Sequence, residues 1–188
     1  TSVIVNDGIT HIGSNAFYNL SALTSVTIPE SIVSIGSYAF AGCTGLSNLS
    51  LPDGLKKISY NAFAGCTALT NIAVPGSVNT IGINAFSGCT GLVDLSLSDG
   101  LNEIGDSAFA RCTALADIVI PGSVSRIGNR AFSGCTELAG LSLSDGLSEI
   151  GDNAFAQCSS LTDIDIPETV VTIGAGAFNN CSGFTSII

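Results

Sequence analysis

Seven cysteines, fifteen carboxylates and one histidine are the side chains that could carry chemistry in this chain. The cysteines recur every 23 residues, at Cys43, Cys66, Cys89, Cys112, Cys135, Cys158 and Cys181. Thiolates stacked about 5 Å apart could hold a soft metal. Each cysteine, however, follows an Ala by four residues and an Ile by eight, as in Ile58, Ala62 and Cys66, and Leu20 takes the place in the first repeat. A free cysteine on such an inward stripe behaves as a small buried hydrophobe. Core packing is therefore expected, with the thiols reduced and metal-free. Disulfides between adjacent repeats are not expected, because parallel in-register neighbours rarely have the geometry. His11 aligns with Ser34, Lys57, Thr80, Glu103, Arg126, Glu149 and Thr172, a variable hydrophilic column that faces solvent. One histidine cannot build a multi-histidine metal site, and no catalytic residue or cofactor is assigned.

The carboxylates fall into two groups. Asp7, Glu30, Asp53, Asp99, Asp145 and Glu168 share one column at a strand-to-turn edge. Asp94, Asp117, Asp163 and Asp165 fall on a strand face expected to be concave, and are the candidate contacts there. Asp94 and Asp117 lie in adjacent repeats, within reach of one divalent cation. Calcium takes six to eight oxygen ligands, and no Asp-rich calcium loop is present, so a solvated acidic face is the expectation. Glycosidase chemistry needs paired carboxylates at a fixed separation in a pocket, and a regular array offers no evident cleft. Tyr18, Tyr38 and Tyr60 all fall in the first three repeats, as a small interaction patch or as ordinary surface aromatics. Sequons occur at Asn19, Asn48 and Asn180. Asn19 and Asn48 are candidate N-glycosylation sites in a secretory eukaryote, with chance occurrence the alternative in so serine-rich a chain.

Composition narrows the function classes. The 188 residues are 46% hydrophobic and only 11% charged, with a net charge of −10. Five Lys and Arg give no footprint for a nucleic-acid backbone and little attraction to anionic membranes. No apolar run approaches the roughly 20 residues that span a bilayer, so no membrane insertion is expected. The sequence has no initiator Met and no signal peptide, which reads as a processed, truncated or partial chain.

These side chains are positioned by one repeating unit. Phe17, Phe40, Phe63, Phe86, Phe109, Phe132, Phe155 and Phe178 are each 23 residues apart, each preceded by Ala and, five residues earlier, by Ile. Eight repeats without insertion or deletion imply a solenoid. Pairs such as Leu49 and Leu51, or Ile72 and Val74, alternate with small polar residues as a half-buried strand does. Proline and glycine then mark a turn, as in Pro75-Gly76-Ser77. The spacing of Ile58, Ala62 and Cys66 at i, i+4 and i+8 predicts a short helical or 3₁₀ segment, with Phe63 plugging the gap between coils. Eight stacked strands would give a parallel sheet roughly 34 Å long, with the bulkier helical side convex.

The motif Ile81-Gly82-Ile-Asn-Ala85-Phe86-Ser-Gly-Cys89-Thr-Gly-Leu92, preceded by Val74-Pro75-Gly-Ser-Val78, resembles the BspA-like leucine-rich repeat over the whole chain. The resemblance implies an α/β solenoid, a right-handed leucine-rich-repeat superhelix with a parallel β-sheet on the concave face and short helical or 3₁₀ turns on the convex face. It also implies an extracellular or cell-surface, non-enzymatic role in adhesion or protein binding. It carries over no catalytic residues, because the shared motif consists of core and turn positions.

A longer period overlies the first. Asp-Gly turns at 7, 53, 99 and 145 alternate with Pro-x-Ser/Thr turns at 29, 75, 121 and 167, and Leu-rich strands alternate with Ile- or Val-rich ones. The unit is then 46 residues, through tandem duplication or as a designed consensus array. Residues 1–188 read as one solenoid of eight 23-residue repeats, or four double repeats, plus the start of a ninth at Thr185. Val3 and Val5 at one end, and Phe184 and Ile187 at the other, keep core spacing without a polar cap. Two functions follow. One is a recognition module that takes a protein or glycan ligand on its concave face. The other is a structural unit that stacks head to tail into a fibre or continues in a longer array.

Overall fold

A computed structural model describes residues 1–184. The chain winds as a parallel β-solenoid in which a coil contributes one or two short strands. In chain order these are β1 (Ser2–Ile4), β2 (His11–Ile12), β3 (Ser25–Thr27), β4 (Ser34–Ile35) and β5 (Asn48–Leu49). They continue as β6 (Lys57–Ile58), β7 (Asn71–Val74), β8 (Thr80–Ile81), β9 (Asp94–Leu97) and β10 (Glu103–Ile104). The last are β11 (Asp117–Val119), β12 (Arg126–Ile127), β13 (Gly140–Ser142), β14 (Glu149–Ile150) and β15 (Thr172–Ile173). Every pairing is parallel and in register at the repeat length, as in Val3 on Val26 and Ile104 on Ile127.

The strands build two ladders, and the continuous one is not where the sequence places it. The Leu and Ile pairs expected to form one long sheet form three pieces, β1-β3-β5, β7-β9 and β11-β13. The unbroken eight-stranded sheet runs from β2 through β4, β6, β8, β10, β12 and β14 to β15, a span of about seven turns. Its buried residues are the isoleucines from Ile12 to Ile150, which the i, i+4, i+8 spacing assigns to a helical stripe, and Ile173 on β15 is exposed.

The helical or 3₁₀ turns expected on the convex side are not formed, since the described residues contain no helix. The backbone around Phe40 gives the reason. Ala39, Ala41 and Cys43 donate their N–H groups back to Gly36, Tyr38 and Phe40, at 3.2, 3.2 and 3.1 Å. The residues between them, Tyr38, Phe40 and Gly42, donate instead to Tyr60, Ala62 and Ala64 of the next coil, at 3.0, 2.8 and 2.8 Å. An α-helix needs each successive N–H to turn back four residues. Here every second one is committed to the neighbouring coil. Two left-handed residues per coil complete the path, Tyr38 (φ 57) with Gly42 (φ 74) and Asn61 (φ 54) with Gly65 (φ 73). A helix of L-residues does not pass through that conformation.

One continuous core fills the coils. Phe40, Phe63, Phe86, Phe109, Phe132 and Phe155 are fully buried. The eight rings from Phe17 to Phe178 stack with centroids 5.0 to 5.5 Å apart and planes within 11°. The expected role of phenylalanine between coils is therefore met by a ring-on-ring column, which adds aromatic stacking to apolar burial. The expected start of a ninth repeat at Thr185, with Ile187 as a core position, lies outside the described residues.

The 46-residue alternation has a structural counterpart. The first ladder breaks between β5 and β7, between β9 and β11, and after β13. At these three steps the hydroxyls of Ser77, Ser123 and Thr169 donate to the carbonyls of Leu55, Leu101 and Leu147 in the preceding coil. Ser31 makes the same bond to Ile9, 2.7 Å, at the first step, where the ladder is intact. Each Pro-x-Ser/Thr turn thus fastens onto the Asp-Gly turn before it. At two of the intervening steps the turns touch backbone to backbone, Gly100 on Gly76 and Gly146 on Gly122, and at the other Asp53 donates its N–H to the Glu30 carboxylate at 3.2 Å. Gly100, at φ 110, lies so close to the Gly76 carbonyl that a Cβ would collide with it.

Candidate functional site

Two outward surfaces follow from the two ladders. On the first, alternation sends Ile72, Val74, Leu95 and Ile118 inward and leaves Asn71, Ala73, Asp94, Ser96, Asp117 and Val119 outside. Asp94, Asp117, Asp163 and Asp165 are all exposed. Asp94 and Asp117 stand at the starts of β9 and β11, on either side of a ladder break, whereas Asp163 and Asp165 lie two coils further on and in no strand. A shallow depression of about 290 Å³ marks the break, lined by Leu95, Ser96, Leu97, Asp117, Ile118 and Val119. Val119 is 62% exposed at its edge. The Asp117 carboxylate lies over Gly140 of the next coil, filling the space a Cβ there would need. Among the described residues no three His, Cys, Asp or Glu side chains are grouped to hold a metal ion.

The second surface carries the first residue of each two-residue strand, the column from His11 to Thr172. Sequence reasoning marks that column only as hydrophilic, yet the fold gives it internal order. Arg126 on β12 reaches Glu103 on β10 at 2.7 Å, Glu149 on β14 at 3.3 Å and Asp106 at 3.5 Å. Partial burial works against the charge of this guanidinium, but the three carboxylates outweigh it and hold its pKa above the ordinary range. Asp106 also accepts the Asn129 backbone N–H at 2.8 Å, Asn129 accepts that of Asp152 at 2.8 Å, and Asp152 accepts that of Ala175 at 2.7 Å. Carboxylate and amide side chains here take up donors that the turns leave open.

Toward the other end the same surface is aromatic and cationic. Tyr18, Tyr38 and Tyr60 come together from three successive coils, edge to face, with centroids 6.2 and 5.2 Å apart and planes at 85° and 84°. They stand on turns, not on helices. The Tyr60 hydroxyl raises the pKa of Tyr38, while Tyr38 and then Asn61 lower that of Tyr60. Beside them a groove of about 460 Å³ runs between the third and fourth coils. Lys56, Lys57 and Tyr60 stand on one side, and Asn79, Thr80 and Ile83 on the other. Sequence reasoning finds the tyrosines and misses the groove, because Lys57, Tyr60, Thr80 and Ile83 meet only once two coils are stacked.

All seven cysteines are buried and unbridged. Burial pushes Cys89 and Cys135 up to about 12, the opposite of what a nucleophile or metal-binding thiolate needs. His11 is exposed on β2, its Nδ1 2.7 Å from the Thr10 hydroxyl. Asn19 is exposed on a turn at φ 58, and Asn48 is exposed on β5.

Comparison with known proteins places this geometry among bacterial relatives. A family profile described as BspA type leucine rich repeat region matches in six copies, over residues 10–139 and 102–188. A crystal structure of a T. pallidum leucine rich repeat protein is 32% identical with a TM-score of 0.69, covering 98% of this chain and 78% of that one. A leucine rich cell surface protein from Faecalibacterium prausnitzii is 25% identical with a TM-score of 0.56, covering 98% and 71%. A leucine-rich repeat protein from Eubacterium ventriosum has a TM-score of 0.81 at 20% identity, a likeness of fold in which this chain spans 60% of the other. No curated protein sequence matches the chain.

Proposed function

Because this chain belongs to the BspA-type leucine-rich-repeat family, we propose that it is a non-enzymatic recognition module that works outside the cell, secreted or on a surface. The observation that carries this reading is the long-strand face. Exposed small and acidic side chains repeat there at a fixed spacing on a buried apolar support, around an open depression instead of an enclosed pocket. Such a face suits a protein partner spread over several coils, because solenoids present extended surfaces. The F. prausnitzii relative is described as a cell surface protein, which supports the location. Among the described residues no helix is long and apolar enough to cross a membrane. Asp94, Asp117, Asp163 and Asp165 are the acidic contacts of this face, and Asn19 and Asn48 are the glycan acceptors in a glycosylating host. Residues 1–188 act as one unit of eight repeats and the start of a ninth. Surface plasmon resonance against purified extracellular-matrix proteins tests the reading. Binding that is lost with Ser96→Arg and Val119→Arg but kept with Arg111→Ala supports it, and binding indifferent to both long-face variants removes it.

A second reading has its own observation. Val3, Phe17 and Leu20 of the first coil are at most partly covered, whereas their counterparts Val26, Phe40 and Cys43 are buried. Another coil, from a longer array or a second copy stacked head to tail, would cover them. Sedimentation at rising concentration separates the cases. A growing series of species supports end-to-end stacking, and a single monomer excludes it for this segment.

A further inference from the structure

We propose that the groove between the third and fourth coils binds a carboxylate-bearing sugar at the end of a glycan, an inference that rests on the recognition reading above and narrows it to a ligand class. Charge distribution is the first argument. Three of the fifteen carboxylates precede residue 94 and twelve lie from Asp94 onward, so the acidity of the chain is concentrated in its second half. The groove columns carry Val33, Ser34 and Ser37 in the second coil, Lys56, Lys57 and Tyr60 in the third, and Asn79, Thr80 and Ile83 in the fourth. No carboxylate occupies them there. In the fifth and seventh coils the same columns hold Glu103, Asp106, Glu149 and Asp152. Among the described residues neither Lys56 nor Lys57 is in an ion pair, whereas Arg126 on the same surface has three acidic partners. Two adjacent ammonium groups without a counter-charge favour an anion from outside.

The walls decide what kind of anion. Tyr60 is 43% exposed and is fixed by its edge-to-face contact with Tyr38. It presents an apolar ring with a polar tip, which suits the C–H face and hydroxyls of a pyranose. Ser37, Ser59, Asn79 and Thr80 supply short neutral donors and acceptors around it, and Ile83, 48% exposed, gives the far rim an apolar surface. At about 460 Å³ the groove lies at the small end of ligand sites, which run roughly 300–1,000 Å³. An acidic peptide fits less well. Peptides add to sheets at free edges, and β6 is paired on both sides, with β4 and β8.

Saturation-transfer NMR and titration calorimetry with sialyllactose, lactose and a short Glu-rich peptide test the assignment. Sialyllactose should bind and lactose should not. Lys56→Gln/Lys57→Gln and Tyr60→Ala should each weaken binding by about tenfold or more, corresponding to about 1.4 kcal/mol, and Glu137→Gln, an exposed residue away from the groove, should leave it unchanged. Lys57→Glu, a surface change that spares the tyrosine packing, should abolish it. Equal binding of lactose, displacement of sialyllactose by the peptide, insensitivity to the lysine variants, or no binding of sialyllactose would each overturn the assignment. The matrix-protein experiment reads the long-strand surface through Ser96 and Val119. Its success without sugar binding sinks this inference alone, and sugar binding with indifferent long-face variants sinks only the long-face reading.

Discussion

The thiol of Cys89 donates to the carbonyl oxygen of Phe63, 3.2 Å away in the coil before it. The same bond links Cys66 to Phe40, Cys112 to Phe86 and Cys135 to Phe109 at 3.2 to 3.3 Å. Each thiol thus satisfies a carbonyl between coils while its sulfur fills core volume. Burial opposes loss of the thiol proton and outweighs the backbone hydrogen bonds that favour the thiolate.

Native thiols should therefore label slowly with a disulfide reagent and rapidly after denaturation. Stability should also fall at alkaline pH. Below about 9 the thiols are protonated in both folded and unfolded chains, and their burial contributes fully. Between 9 and about 12 the unfolded chain loses protons that Cys89 and Cys135 retain when folded, so the folded state loses ground throughout that window. Denaturant melts at pH 8 and pH 10, conditions on the order of one pH unit either side of the thiol range, should show the lower midpoint at pH 10. Equal midpoints would contradict the assignment.

Truncating Phe86 removes a ring stacked on both sides, 5.1 Å from Phe63 and 5.2 Å from Phe109. Phe86→Ala should cost about 3–5 kcal/mol, whereas Thr80→Ala, on an exposed strand residue, should change stability by less than roughly 0.5 kcal/mol. Similar losses in parallel melts would mean that the two columns are not differently buried.

Arg126→Gln should destabilise the protein by about 1 kcal/mol at neutral pH, the upper range for partly exposed ion pairs. It leaves Glu103, Glu149 and Asp106 facing one another without their shared cation. The deficit should shrink in high salt, which screens the repulsion among the three carboxylates. A deficit that ignores salt would indicate lost packing of the arginine stem instead.

Gly8 and Gly100 hold the same turn position with similar backbones, at φ 91 and φ 110. A Cβ on Gly8 meets nothing within 4 Å, whereas one on Gly100 strikes the Gly76 carbonyl. Gly8→Ala should therefore cost about 1 kcal/mol for the left-handed conformation alone, and Gly100→Ala clearly more. Thermal melts of the two variants compare them directly, and equal costs would remove the turn-to-turn contact from consideration.

Periodicity made the solenoid, its core columns and the alternation of turns legible in the sequence. Phe, Ile and Cys at fixed spacing have to stack, whatever backbone carries them. The helical expectation failed for a physical reason. Two tight turns bring Ile58, Ala62 and Cys66 to one side as well as a helix does, and spacing cannot tell the two apart. Asn15, Asn61, Asn84 and Asn153, with Gly42, Gly65 and Gly88, were the available signal, since Asn and Gly tolerate the left-handed region best. Tyr38, Ser107 and Arg130 occupy the same positions and obscure it. The alternation Glu103, Arg126, Glu149 was equally readable as charge. It acquires a partner assignment only once β10, β12 and β14 are known to lie side by side.

The fastening of each Pro-x-Ser/Thr turn onto the Asp-Gly turn before it imposes a parity rule on changes in array length. Removing a single coil would bring two turns of the same kind together. Two Asp-Gly turns would meet with no hydroxyl to reach the carbonyl that Ser77 or Ser123 now bonds, or two Pro-x-Ser turns would meet with the close glycine-to-carbonyl fit lost. Gain or loss of two coils keeps the alternation of the two turn kinds. Recombination between gene copies should therefore be tolerated in steps of an even number of coils, and the reach of the binding surface would grow or shrink by pairs.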